Sequence, residues 1–213
     1  MTTTIYLIRH GQTDWNKQQI FRGRKDVPLN EHGRKEAEAL SAHLKNVKFT
    51  ACYAGPLSRS FETAEIVARS HNLPVHVDEG MTDISYGVWE GLPVEEVEQR
   101  FSSLYDTWLS QPHRVRFPSG ESLLIVKRRA LYSLEGIRTK HPGETVFVVS
   151  HRVVTKVVMC AMLGLSNKAF WKILQDTCAY NIIVSSEKEA LVSTLNDTCH
   201  LRSAGLAPSL PDF

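Results

Sequence analysis

The chain predicts an α/β fold, a central sheet with helices on both faces. Three observations lead there. Short β-branched and aliphatic runs alternate with segments of helical spacing along most of the 213 residues. Two of these runs, Thr4–Ile8 and Thr145–Val149, carry no charge, as buried strands require. Each delivers a histidine, His10 and His151, at its carboxyl end, where ligands sit in open α/β sheets.

In chain order, Thr4–Ile8 reads as a short buried strand, followed by Arg9–Asn16, RHGQTDWN, in which Gly11 bends the backbone away. The loop Gln18–Leu29 is polar and basic, with Arg22, Gly23, Arg24 and Lys25; on composition a solvated loop accounts for it better than an anion site does. Asn30 suits the N-cap of a helix whose inner face is Ala37, Leu40 and Leu44. Phe49–Ala54 reads as a strand stopped by Gly55-Pro56, and a helix follows with Leu57, Phe61, Ala64 and Ala68 on one face. Arg59 falls in its first turn, where the helix dipole favours anions, so a bound anion accounts for it better than helix stability does.

Leu73–Val77 is a short strand, and Asp83–Gly91, DISYGVWEG, is a glycine- and tryptophan-containing turn. Pro93–Leu109 has the spacing of one helix; Gln111–Gly120 is a loop closing in a helix start at Pro118–Ser122. Leu123, Val126, Ala130, Leu134 and Ile137 then mark the core face of a long helix, and the strand Thr145–Val149 leads through Ser150-His151 into an apolar helix stopped at Gly164. Two strands, Ala179–Ser185 and Ala190–Leu195, flank a polar turn, and the tail after Arg202 is expected to be loosely held. Residues 1–213 thus read as one domain, with 79–121 as an insertion on the main fold.

With 25 basic and 23 acidic residues the net charge is +2, which excludes the clustered positive excess of a nucleic-acid binder. The N-terminus lacks the pattern of a signal peptide, and Val157–Leu165 is too short to span a membrane. Cys52, Cys160, Cys178 and Cys199 form no CxxC pair, and Cys52 and Cys160 lie in apolar runs suited to buried thiols. A cytoplasmic protein without structural zinc is expected. A homodimer through a sheet edge or the Phe170-Trp171 region is compatible with the sequence.

A metal bound by His10 and His151 would recruit acidic residues or a third histidine. The flanking Arg9 and Arg152 instead add positive charge, so an anion fits better and no metal is expected. His32, His43, His71, His76, His113 and His141 are read as structural or surface groups.

RHGQTDWN, Gly55–Arg59 (GPLSR), the acid before the Gly-x-Trp-Glu-Gly turn and Ser150-His151 together resemble the histidine phosphatase superfamily, the group that includes cofactor-dependent phosphoglycerate mutases. The resemblance runs through nearly the whole chain in order. It implies a three-layer α/β/α sandwich around a mixed, mostly parallel sheet, a phosphohistidine intermediate, and neither metal nor other cofactor. It implies catalytic roles for His10, Arg9, Arg59, His151 and Asp83, with His10 as nucleophile and Asp83 as acid/base. Residues 79–121 would cover the active site. Asn16, Arg22, Gly23, Tyr86 and Arg152 would bind substrate. Neighbouring arginines would keep His10 neutral for attack on phosphorus, and paired guanidinium donors suit phosphoryl oxygens.

Within the family, mutases usually carry a longer segment around the acid/base residue, so the short one here favours hydrolysis. The second half, through Gln111–Val115, Met159–Gly164, Phe170-Trp171 and Thr198–Leu201, is similar to metal-independent bacterial phosphoserine phosphatases. Three features depart from that group: Tyr86 replaces a histidine, Asp83 a glutamate, and Arg22 and Arg152 stand where uncharged residues are usual. If both arginines face the pocket, a substrate with a second carboxylate or phosphate is favoured. The expected activity is hydrolysis of a small phosphorylated metabolite, with phosphoserine or a similar phosphorylated acid favoured. Phosphoglycerate mutase and α-ribazole phosphate phosphatase are the alternatives. A phosphoprotein-binding module is disfavoured by the intact reactive set.

Overall fold

A computed structural model describes residues 1–206. Strands β1 (Thr3–Arg9), β2 (Ala51–Ala54), β3 (Val75–Val77), β4 (Thr145–Ser150), β5 (Tyr180–Ser185) and β6 (Ala190–Asp197) form one sheet in the order β3-β2-β4-β1-β5-β6. The first four in that order pair in parallel; β5 runs antiparallel to both β1 and β6. The sheet is mixed and mostly parallel, as expected. Strands β1 and β4 pair from Thr4↔Thr145 to Arg9↔Ser150. This register brings His10 and His151, each one residue further on, to the same point beyond the sheet.

Alternation along the strands separates two cores. Ile5, Leu7, Val146, Val148 and Ile183 face α6 (Leu123–Lys140), α7 (Arg152–Met162) and the aromatic residues of 79–121. Ile8, Cys52, Ala54, Phe147 and Val149 face α2 (Glu31–Leu44), α3 (Ser58–Arg69) and α8 (Cys199–Ser203). Two buried faces on one sheet give the three layers.

The helix ends follow local chemistry. The Asn30 side chain accepts from Gly33 N at the start of α2, and that of Ser122 from Ile125 N at the start of α6. Gly164 takes φ +69 behind α7, and Leu165 N–H closes the end on Cys160 O at 2.7 Å. All five expected core positions of α6 are buried.

Residues 79–121 contribute no strand to the described sheet. Trp89 and Trp108 nevertheless pin the segment down, fully buried around Phe117, with ring centroids 4.9 and 5.3 Å away. Burial of large side chains at about 2–3 kcal/mol each compensates for the missing ladder. The single helix expected over Pro93–Leu109 is instead two, α4 (Val94–Arg100) and α5 (Ser102–Ser110), broken at Phe101 with φ −133 and ψ 35. The Phe101 ring packs 6.1 Å from Trp89, and the two serines that follow are weak helix formers. A one-turn helix α1 (Asp14–Lys17), a 3-10 turn at Asn167–Lys172 and α8 were not foreseen.

Phe170 is fully buried and the Trp171 indole N–H donates to Trp108 O at 2.7 Å. Most of the tail expected to be loose lies outside the described residues. Cys52, Cys160 and Cys178 are buried free thiols and Cys199 is half-buried. No helix among the described residues is long and apolar enough to cross a membrane.

Candidate active site

His10 follows β1 directly, and its main-chain N–H donates to Ser150 O at 2.9 Å. Its Nδ1 lies 2.7 Å from Gly11 O. A carbonyl only accepts, so Nδ1 carries the proton and Nε2 keeps its lone pair. Burial holds the imidazole pKa well below its usual value, and Arg59, His151, Arg9 and Arg22 push in the same direction. His10 is therefore neutral at physiological pH, with burial the leading cause ahead of the arginines. The bend after it depends on glycine: a Cβ on Gly11 would sit 2.5 Å from Gly33 O.

Arg9 is buried beside His10 in sequence and donates through Nη1 to Gln175 O at 2.7 Å. Beneath the turn lies Glu36, a fully buried carboxylate that accepts from Gln12 N at 2.7 Å and Thr177 Oγ1 at 2.6 Å. Burial raises its pKa against the lowering effect of these bonds, His32 and Arg9. Glu36 thus ties the backbone after His10 to the segment leading into β5. In the sequence it looked like any helix-surface acid.

Across the sheet end, Arg59 and Asp83 form a buried ion pair, Nη2 to Oδ2 at 3.0 Å. Arg59 also donates to Gly23 O at 2.8 Å and Lys25 O at 2.9 Å. Its anion is therefore found within the chain, and the start of α3 is capped separately by Asp26, which accepts from Ser58 N and Oγ at 2.8 and 2.7 Å. Arg59 Nε has no hydrogen-bond partner among the described residues. The same holds for both ring nitrogens of His151, whose ring centroid is 5.2 Å from that of His10. His151 Nδ1 lies 3.6 Å from Asp83 Oδ2. Burial lowers the His151 pKa to about 3; Asp83 opposes this, and Arg59, Arg129 and Arg22 add to it. For Asp83, burial acts to raise the carboxyl pKa, but His151, Arg59, Arg22 and the Ile84 N–H together hold it below its ordinary value.

The backbone that carries Asp83 is clamped by Arg129 on α6. Its Nη1 donates to Gly80 O (2.8 Å) and Thr82 O (2.7 Å), and its Nη2 donates to Asp83 O (3.0 Å). Nε and Nη2 also fork onto Glu121 at 3.0 and 3.1 Å, and Glu121 accepts from Ser85 N at 2.9 Å. Sequence reasoning missed both residues: Glu121 was read only as part of a helix start, and Arg129 falls among basic residues of an exposed helix stretch.

A narrow cleft, about 260 Å³ of atom-free space, is lined by Ile20, Phe21, Arg22, Gly23, Asp83, Tyr86, Arg152 and Val153. Arg22 and Arg152 both face it, buried to all but 7% and 5% of their surface. Gly23 takes φ +52, and a Cβ there would meet the Glu90 carboxylate at 2.5 Å. Burial raises the Tyr86 pKa, while the Arg152 guanidinium, which hydrogen-bonds its hydroxyl, acts to lower it. Asn16 is buried on α1, and its Oδ1 accepts from Thr13 N and Oγ1, both at 2.8 Å. No group of three or more His, Cys, Asp or Glu among the described residues is arranged to hold a metal ion.

The arrangement is a neutral imidazole with a free Nε2, opposed by a second imidazole and guanidinium groups, with a carboxylate at hydrogen-bond reach of that cation cluster. Such a set can accept and stabilise a phosphoryl group. Comparison with known proteins agrees. The family profile of the histidine phosphatase superfamily, branch 1, matches residues 5–198. Phosphoserine phosphatase 1 of Hydrogenobacter thermophilus is 36% identical over 197 residues, which are 92% of this chain and 93% of that one. The solved structure of Bacillus stearothermophilus YhfR superposes with a TM-score of 0.91 at 34% identity, covering 93% of this chain and 99% of the other. A phosphoserine phosphatase of Entamoeba histolytica, solved with phosphoserine and with 3-phosphoglyceric acid, gives 0.84 at 26% identity, covering 93% and 99%.

Proposed function

The chain belongs to branch 1 of the histidine phosphatase superfamily, and on that premise we propose that it hydrolyses small phosphate monoesters through a phosphohistidine at His10. The observation that carries this is the 2.7 Å contact from His10 Nδ1 to Gly11 O, which leaves Nε2 as a neutral nucleophile. His10 Nε2 attacks phosphorus, the P–O ester bond breaks, and the departing alkoxide takes a proton from Asp83. A water then attacks the phosphoryl group, Asp83 takes its proton, the P–N bond breaks, and inorganic phosphate leaves with His10 restored.

Arg9, Arg59 and His151 would hold the phosphoryl oxygens, with Asn16 as a neutral donor and Arg22 and Gly23 at the rim. Arg59 Nε and the one His151 ring nitrogen that carries the proton, which make no protein hydrogen bond among the described residues, are donors of the kind such an oxyanion needs. Asp83 is ionised in the free protein and must gain a proton to act as an acid. A phosphoryl dianion drawn beside it offsets the neighbouring cations and raises its pKa, the direction the role requires. Residues 79–121, which carry Asp83 and Tyr86, would then form the cover of the site.

The relatives named phosphoserine phosphatase, one solved with phosphoserine, support a phosphorylated small acid as substrate. The test is phosphate release from a panel of phosphorylated metabolites that includes phosphoserine, 3-phosphoglycerate and α-ribazole phosphate. Rapid isomerisation of 3-phosphoglycerate without phosphate release would make the protein a mutase instead.

A further inference from the structure

We propose that Arg152, set by Tyr86 and Trp171, forms a second anion subsite that selects phosphate esters bearing a carboxylate. The proposal rests on the phosphomonoesterase function of the same cleft and names what reads the rest of the substrate.

Arg152 is the first residue of α7, immediately after His151, and lines the cleft with Arg22, Asp83 and Tyr86. Two neighbours fix its guanidinium. It hydrogen-bonds the Tyr86 hydroxyl, and its Cζ lies 5.7 Å from the centroid of the Trp171 ring. Trp171 is itself tied to Trp108 O at 2.7 Å, so the platform under the guanidinium is part of the core. Tyr86 is wedged edge-on against Phe21, Trp108 and Phe117 at 5.1, 6.2 and 4.9 Å. A planar, permanently charged fork held in this way is pre-organised for a carboxylate.

Local charge balance adds a second argument. One turn along α7, Lys156 is also buried, its Nζ 4.6 Å from the Trp171 ring centroid and 4.8 Å from that of Phe170. Like charges four residues apart on a helix repel. A carboxylate bound at Arg152 would lie against both like charges and offset their repulsion.

The experiment compares kcat/KM for phosphoserine and phosphoethanolamine, which differ only in the carboxylate, with p-nitrophenyl phosphate as a reference for the phosphoryl chemistry. The native protein should prefer phosphoserine by about tenfold or more, the scale of a hydrogen bond to a charged group. Arg152→Leu should collapse that ratio, Arg152→Lys should restore part of it, and Tyr86→Phe should lower it through loss of orientation. Binding of both esters to the His10→Ala protein and to its Arg152→Leu double variant gives the same comparison without turnover. Equal loss on both esters, no native preference, or a stronger preference for propane-1,3-diol bisphosphate overturns the carboxylate subsite. Loss of all hydrolysis, p-nitrophenyl phosphate included, with the binding preference intact, would instead overturn the phosphomonoesterase function and leave the subsite standing.

Discussion

Arg59 meets the cleft-lining Asp83 at 3.0 Å, a buried pair whose carboxylate is also 3.6 Å from His151. Truncating one partner of a buried pair strands the other charge at a cost of about 3–5 kcal/mol. Arg59→Ala and Asp83→Ala should therefore lose stability on that scale, read as urea midpoints. Asp83→Asn keeps the shape but removes the proton carrier together with the charge that faces Arg59. It should lower kcat/KM for alkyl phosphates by about 10²–10⁴-fold and for p-nitrophenyl phosphate much less, because that leaving group departs without a proton. Parallel losses on both substrates would remove Asp83 from the acid role.

The Arg129 clamp makes a related prediction at a distance. Arg129 touches three carbonyls around Asp83 and the Glu121 carboxylate, and lies outside the reacting set. Arg129→Met should show the same leaving-group signature as Asp83→Asn in weaker form, on the order of tenfold, and Arg129→Lys should recover part of it. A uniform drop across leaving groups would reduce Arg129 to a packing residue.

Much of the site was legible because it is written locally. His10, Arg59, Asp83 and His151 each sit at a strand end, a helix start or a glycine turn, and parallel pairing of β1 with β4 brings both histidines to one place. The burial of Arg22 and Arg152 could not be read, since a basic residue in a loop or at a helix start looks the same whether solvated or lining a cleft. The Arg129–Glu121 clamp was invisible for another reason: its partners are carbonyls 46 to 49 residues away, and backbone acceptors carry no signature in sequence. The break at Phe101 escaped because part of its cause, packing against Trp89, lies outside its own neighbours.

Stability should fall in mild acid. His200 is buried away from the cleft, and burial, helped by His43, lowers its pKa to about 4. Between that value and about 6.5, the unfolded chain binds a proton that the folded chain does not, so stability drops as pH falls through the window and is fully present above it. His151, lowered to about 3, acts in the same direction. One such proton corresponds to a slope of about 1.4 kcal/mol per pH unit. Urea unfolding between pH 7.5 and 5 should show the decline, and His200→Gln should flatten it by nearly one proton. An unaltered slope in that variant would mean His200 is protonated in the fold.

Gly11 is predicted to be irreplaceable for steric reasons. With Gly33 O only 2.5 Å from where a Cβ would stand, Gly11→Ala must push the turn after His10 off α2. Overpacking of this kind costs about 1–3 kcal/mol, and activity should fall more than stability because His10 Nδ1 loses its aligned acceptor. Thermal melts and kcat measured together check this; a variant with native activity would show that the turn tolerates the shift.

The acceptor itself can be caught. Mixing the protein with ³²P-labelled substrate and quenching in alkali within the first turnover should leave an acid-labile, alkali-stable phosphoryl group on the peptide containing His10, absent in His10→Ala. Label on a serine or aspartate, on another histidine, or on no residue while His10→Ala still turns over at the native rate, would contradict phosphoryl transfer through His10.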